Sequence, residues 1–98
     1  MPRARVNRNP DQQNSQKGSV KHRVRACVLI RVRHGRHFQV AHQIANIPGV
    51  KSAFAVVGAA DVVVRIEVRD MSALVAVGTR IGDLQDVSTT ETFVAAEV

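Results

Sequence analysis

This sequence predicts a single α+β domain of order β-α-β-β-α-β, in which a four-stranded antiparallel sheet carries both helices on one face. Three observations predict it. In residues 23–33 every second side chain, from Val24 to Val32, is apolar and mostly β-branched; two later stretches carry apolar side chains at spacings of three and four; and only Gly58-Ala59-Ala60-Asp61 separates two runs rich in β-branched residues. A length of 98 residues has room for one small domain. A chain of that size buries only about 60–65% of its unfolded surface, so partner subunits are an expected source of further burial.

Residues 1–22 are predicted to form a disordered basic tail, because residues 7–19 contain no apolar side chain whose burial would offset the entropy of ordering. The domain is assigned to residues 23–98. In its first strand Val24, Ala26, Val28, Ile30 and Val32 form one face, and Arg23, Arg25, Cys27, Leu29, Arg31 and Arg33 form the other. The second face is charged at its ends but apolar at Cys27 and Leu29, so a cover over its middle is expected. His34-Gly35-Arg36 breaks the strand. A helix over residues 36–47 follows from Val40, Ile44 and Ile47, with Phe38, Ala41 and Ala45 widening the stripe, and Pro48-Gly49 ends it. The second strand, residues 50–57, has Phe54 and Val56 on one side and Ala53, Ala55 and Val57 on the other, so both faces are expected to be buried. Gly58 accepts a positive φ at no cost, and Asp61 is suited to bonding nearby backbone amides. The third strand, residues 62–68, alternates Val62, Val64, Ile66 and Val68 with Val63, Arg65 and Glu67, and the short connection makes it a hairpin with the second. Asp70 is a favourable N-cap and Met71 opens a second helix with Leu74, Val77, Ile81 and Leu84 on its apolar stripe. Gly78 and Gly82 each weaken that helix by about 1 kcal/mol relative to Ala, which leaves its C-terminal end open. Asp86 occupies a turn, and residues 87–94 form the last strand.

Two right-handed β-α-β crossovers that interleave give the ferredoxin-like arrangement. One sheet face then has no helices. It carries Cys27, Leu29 and Val63, and is predicted to pack against a second copy as a dimeric α/β sandwich.

Composition narrows the function. The formal net charge of +6 is confined to residues 1–25, which hold seven Lys or Arg and one acid, whereas residues 26–98 hold seven of each sign. Only the tail is therefore a candidate for weak, salt-dependent, sequence-independent nucleic-acid binding. The RNA-binding module of this topology stacks bases on aromatics in its first and third strands; here those strands contain no Phe, Tyr or Trp. Apolar runs reach only five residues, as in residues 53–57, far short of a membrane span, and the basic N-terminus lacks the apolar region of a secretory signal. One cysteine, Cys27, forms no intrachain disulfide, which points to a reducing cytoplasm. No Ser-His-Asp or Cys-His set and no Gly-rich phosphate loop is present, so neither catalysis nor a cofactor is expected.

The ordered features from Val24 onward resemble the C-terminal ligand-binding domain of the Lrp/AsnC regulators of amino-acid metabolism. A first strand ends near Gly35, a first helix ends in Ile47-Pro48-Gly49-Val50, and Gly58-Ala59-Ala60-Asp61 matches the family's G-x-x-D hairpin. Asp70-Met71-Ser72 announces the second helix, and Thr90-Glu91-Thr92 matches its T-x-T. Longer members carry a helix-turn-helix. Only 23 residues, largely polar, precede the first strand here, so a stand-alone sensor is expected. The resemblance implies dimers that associate into rings and an amino-acid effector between dimers beside the G-x-x-D loop; output is then expected to pass to a DNA-binding paralogue or another partner through shared subunit interfaces. On that reading Asp61 takes the effector's ammonium, the amides around Gly58, Ala59 and Ala60 take its carboxylate, Thr90 and Thr92 donate hydroxyls, and Met71 lines the pocket.

Each of these residues also has a purely structural reading: Asp61 as a hairpin residue bonding its own loop, the threonines as strand formers, Met71 as core. Two rival functions share the topology. His34 and His37, three residues apart in the first loop, are the place for a metal clamp, although a third ligand is not evident. Small dimeric monooxygenases provide an enzymatic alternative.

Overall fold

The computed structural model describes residues 23–96. The basic stretch assigned to residues 1–22 lies outside them. The elements are β1 (Val24–Val32), α1 (His37–Ala45), β2 (Val50–Ala55), β3 (Val62–Val68), α2 (Met71–Gly82) and β4 (Val87–Val94). The four strands form one antiparallel sheet in the order β2-β3-β1-β4. β1 and β3 are central, and they are the two strands with the cleanest alternation in sequence. In β3 every second residue, from Val62 to Val68, is buried.

The alternation decides which side chains meet the helices. Val28, Ile30, Val62, Val64 and Ile66 point to the helical side, where Val40 and Ile44 of α1 and Leu74, Val77 and Ile81 of α2 close over them. Each fully buried Ile or Val contributes about 1.5–3 kcal/mol relative to exposure. α1 packs on β2 and β3, while α2 packs on β3, β4 and β1. The two helices start differently. Asp70 is extended, and its Oδ1 accepts from the Ala73 N–H at 2.8 Å, a side-chain N-cap. Arg36 precedes α1 and makes no such cap; its Nε lies 3.2 Å from Asp86 Oδ2, which ties the start of α1 to the turn before β4.

Two expectations about β2 are corrected. The strand stops at Ala55 rather than Val57, because the N–H of Val56 bonds the carbonyl of Asp61 at 3.0 Å and closes a wider hairpin loop, leaving Val57 fully exposed. β2 is also not buried on both faces. It is an edge strand whose residues are half-buried or exposed, with Phe54 48% exposed, because Phe54 points to the side without helices. α1 is shorter than the predicted 36–47, yet Ile47, in the turn after it, remains in the core.

Candidate functional site

The site is built where the hairpin loop meets the end of β1. The N–H of Asp61 donates to the carbonyl of Ile30 at 2.8 Å, and Asp61 Oδ2 accepts from the N–H of Val32 at 2.9 Å. Asp61 Oδ1 lies 3.2 Å from His37 Nε2 at the first residue of α1, an ion pair whenever the imidazole is protonated. Arg31 approaches from the other side: its Nε is 3.8 Å from Asp61 Oδ2, and its Nη1 donates to the carbonyl of Ala59 at 2.7 Å. One loop carboxylate thus joins the hairpin, β1 and α1. Its pKa lies below the usual carboxylate range. The Val32 N–H is the main cause; partial burial opposes it, and the charges of His37 and Arg31 and the His37 hydrogen bond add to the lowering.

The residues named from sequence fall into two groups. Ala59, Ala60 and Thr90 line one cavity of about 360 Å³ together with Leu29, Arg31 and Glu91. Met71 and Thr92 line a second, of about 260 Å³, between α2 and β4, with Val75, Gly78 and Val94. Gly58 has φ +150 and lines neither. Thr90 and Thr92 do share a face of β4, opposite Ile30 and Val28, but Met71 meets only Thr92. Met71 is 52% exposed and so is not core.

The side of the sheet without helices carries Cys27, Leu29 and Val63, all half-buried. The register sets Phe54, Val63, Leu29 and Glu91 in one row and Arg65, Cys27 and Phe93 in the next. Phe54 and Phe93 enlarge the apolar patch, and Glu91 stands at its border. Sequence reasoning missed all three as parts of this surface, because strand register, which no local pattern reports, decides it. His37 is turned to Asp61, and His34 sits at φ 59 in the tight turn before Gly35. Among the described residues no group of three or more His, Cys, Asp or Glu is placed to hold a metal ion, and no helix is long and apolar enough to cross a membrane.

The family model of the Lrp/AsnC ligand binding domain matches residues 25–98. The chain belongs to this family. Solved structures agree with the match. A Thermus thermophilus protein, TTHA0845, is 34% identical with a TM-score of 0.72, over 76% of this chain and 95% of that one. PHS023 from Pyrococcus horikoshii is 25% identical with a TM-score of 0.70, over 76% of this chain and 92% of its own. The transcriptional regulator NMB0573 of Neisseria meningitidis, solved in complex with L-Met, is 19% identical with a TM-score of 0.68, over 98% of this chain and 64% of that regulator, a likeness of fold. None of the curated proteins compared with the chain matches it significantly. In this Lrp/AsnC domain, α1 and α2 are the helices among the described residues, and both cover the sheet, so those residues hold no helix-turn-helix.

Proposed function

We propose that this Lrp/AsnC domain is a non-catalytic amino-acid sensor. It works in the cytoplasm as a homodimer joined through the Cys27, Leu29 and Val63 face, and the dimers associate further into rings. The effector sits beside the 58–61 loop, and output passes to a DNA-binding paralogue. One observation carries the reading: the cavity under Ala59 and Ala60 and the uncovered apolar patch share Leu29, so whatever fills the cavity also touches the surface available for assembly. The L-Met complex of NMB0573 supports an amino acid as the class of effector. The mechanism is linkage. An effector shifts the assembly equilibrium by as much as its affinity differs between the assembled and separated states.

Light scattering and thermal unfolding, with and without each of the twenty amino acids, test this. We expect at least a dimer, a change of mass or melting temperature with a subset of amino acids, and dissociation without unfolding in Leu29→Asp. A monomer that responds to none of them refutes the proposal.

A further inference from the structure

The charges of residues 26–98 sum to zero, but the fold does not spread them evenly. A cleft of about 530 Å³ opens between α2 and the Pro48-Gly49 turn, on the side of the sheet that carries the helices. Three arginines line it: Arg23 just before β1, Arg69 just after β3, and Arg80 in the last turn of α2. Val24 pairs with Val68, so Arg23 and Arg69 stand at neighbouring strand ends, where like charges repel. Their countercharge is thin. Arg23 Nε lies 3.8 Å from Glu67 Oε2 and Arg69 Nε lies 3.9 Å from Asp70 Oδ2, loose pairs between side chains that solvent screens. The Arg80 side chain has no hydrogen bond or ion pair among the described residues. Each guanidinium carries five donors in a fork that fits phosphate oxygens, so most donors around the cleft stay open. The chain enters the domain at Arg23, and residues 1–22 before it hold five Lys or Arg against one acid. The basic tract of the sequence and the basic cleft of the fold are thus joined at the rim of the cleft. Their like sign opposes the tract filling the cleft, whereas one long polyanion satisfies both.

We propose that this cleft, together with the N-terminal tract, binds the phosphate backbone of double-stranded nucleic acid without reading its sequence, and that Arg69 and Arg80 donate to the phosphates. This goes beyond the effector reading and does not rest on it. The lining favours a backbone over other anions. No aromatic side chain lines the cleft, so unpaired bases have nothing to stack on there. A protein partner is held mainly by aromatic or large apolar anchors, and α2 offers the cleft only Ala73, Ala76 and the buried Val77. Backbone binding needs charge alone. The cleft also lies on the opposite side of the sheet from Cys27, Leu29 and Val63, so copies joined through that face each keep a cleft open. The fold thereby adds phosphate contacts to a role that the sequence suggested for the tail alone.

Fluorescence anisotropy of a labelled DNA duplex of about 20 base pairs, titrated with the full chain between about 50 and 200 mM salt, tests the proposal. The logarithm of the affinity should fall linearly with the logarithm of the salt concentration, each phosphate contact adding about 0.9 to the slope, and a scrambled duplex should bind equally well. Arg69→Gln/Arg80→Gln is expected to lower that slope by about 2 and to weaken binding about tenfold or more near 0.1 M salt. Arg80→Gln alone, which gives up no partner within the fold, should lower the slope by about 1. Arg33→Gln/Arg36→Gln removes the same charge beyond the other end of β1 and should leave the slope within about 0.5 of wild type. Arg69 and Arg80 are exposed, so these variants should fold, and circular dichroism and light scattering check structure and mass. A wild-type chain that does not bind the duplex overturns the proposal. So does a cleft variant as tight and as salt-sensitive as wild type, which would leave binding to the tract alone, or an equal loss in Arg33→Gln/Arg36→Gln, which would make it an effect of net charge. Polyglutamate or anionic phospholipid vesicles that compete as well as unlabelled duplex of equal charge also overturn it, in favour of an acidic protein or a membrane surface.

Discussion

Replacing Gly49 by Ala places a methyl group where the fold has no room for one. Gly49 has φ +98, and the new Cβ lands 2.9 Å from Val68 Cγ1 and 3.1 Å from Val77 Cγ2. Both valines are buried, one in β3 and one in α2, so neither can move aside into solvent. The backbone cannot turn away either, since the Gly49 carbonyl accepts from the Glu67 N–H at 3.0 Å and the next N–H, of Val50, bonds the carbonyl of Ile47 at 3.1 Å. A non-glycine residue at positive φ costs about 1–2 kcal/mol, and overpacking a filled core costs about 1–3 kcal/mol, so Gly49→Ala should lose about 2–5 kcal/mol. That is a large part of the roughly 5–15 kcal/mol that holds a domain folded. Gly35→Ala is the internal control. Its φ of +65 carries the same conformational penalty, but nothing lies within 4 Å of the added carbon, so it should lose only about 1–2 kcal/mol. Urea unfolding of both variants at one protein concentration, with m-values compared, separates packing from strain. A Gly49→Ala variant no less stable than Gly35→Ala would show that the contact with Val68 and Val77 relaxes freely, and the packing argument would fail.

Two further predictions follow from the carboxylates. The folded-state pKa of Asp61 is lowered, so its contribution to stability is complete above the unfolded value near 3.9 and is lost as pH falls through the folded value. The melting temperature of wild type should therefore drop toward that of Asp61→Asn between about pH 5 and pH 2, and a gap that stays constant over this range would contradict the role given to the Val32, His37 and Arg31 contacts. Asp70→Ala removes the oxygen that caps the Ala73 N–H and should destabilise the domain by about 1 kcal/mol, whereas Asp70→Asn should cost less, both read by denaturant unfolding.

The fold was legible because its signals are local. Alternation at Val62, Val64 and Ile66, the stripe Leu74, Val77 and Ile81, and the Asp70 cap each follow from neighbours within a turn or a pleat, and the structure places all of them as read. What local patterns cannot report is which strand lies at an edge. Ala53, Phe54 and Ala55 look like a buried strand in sequence, yet the order β2-β3-β1-β4 leaves them at the border of the sheet. The candidate site divides along the same line. The 58–61 loop was visible as a turn, but the reach of Asp61 to Val32 and His37, across 29 and 24 residues of sequence, exists only after the hairpin docks on β1. Thr90 and Thr92 were correctly placed on one face, while their division between two cavities depends on where the loop and α2 end. Glu91 went unnoticed between them because the middle residue of a strand triplet points the other way.

That geometry also constrains how strongly an effector can act under the proposed linkage. Arg31 is bonded to Ala59 and lies beside Asp61, and Leu29 belongs both to the cavity and to the uncovered patch, so the proposed effector site and the proposed assembly surface share a side chain and need no long relay between them. Moving an equilibrium from 1:99 to 99:1 requires about 5.5 kcal/mol of differential affinity. A single charge-assisted contact supplies about 1.5–3 kcal/mol. Gripping an ammonium and a carboxylate within one protomer therefore does not suffice for a full switch if both grips exist before assembly, because contacts equal in the two states shift nothing. The differential part must come from atoms that reach the effector only when a neighbour arrives. A cavity of about 360 Å³ open along the border of the apolar patch leaves room for that neighbour to supply the missing wall.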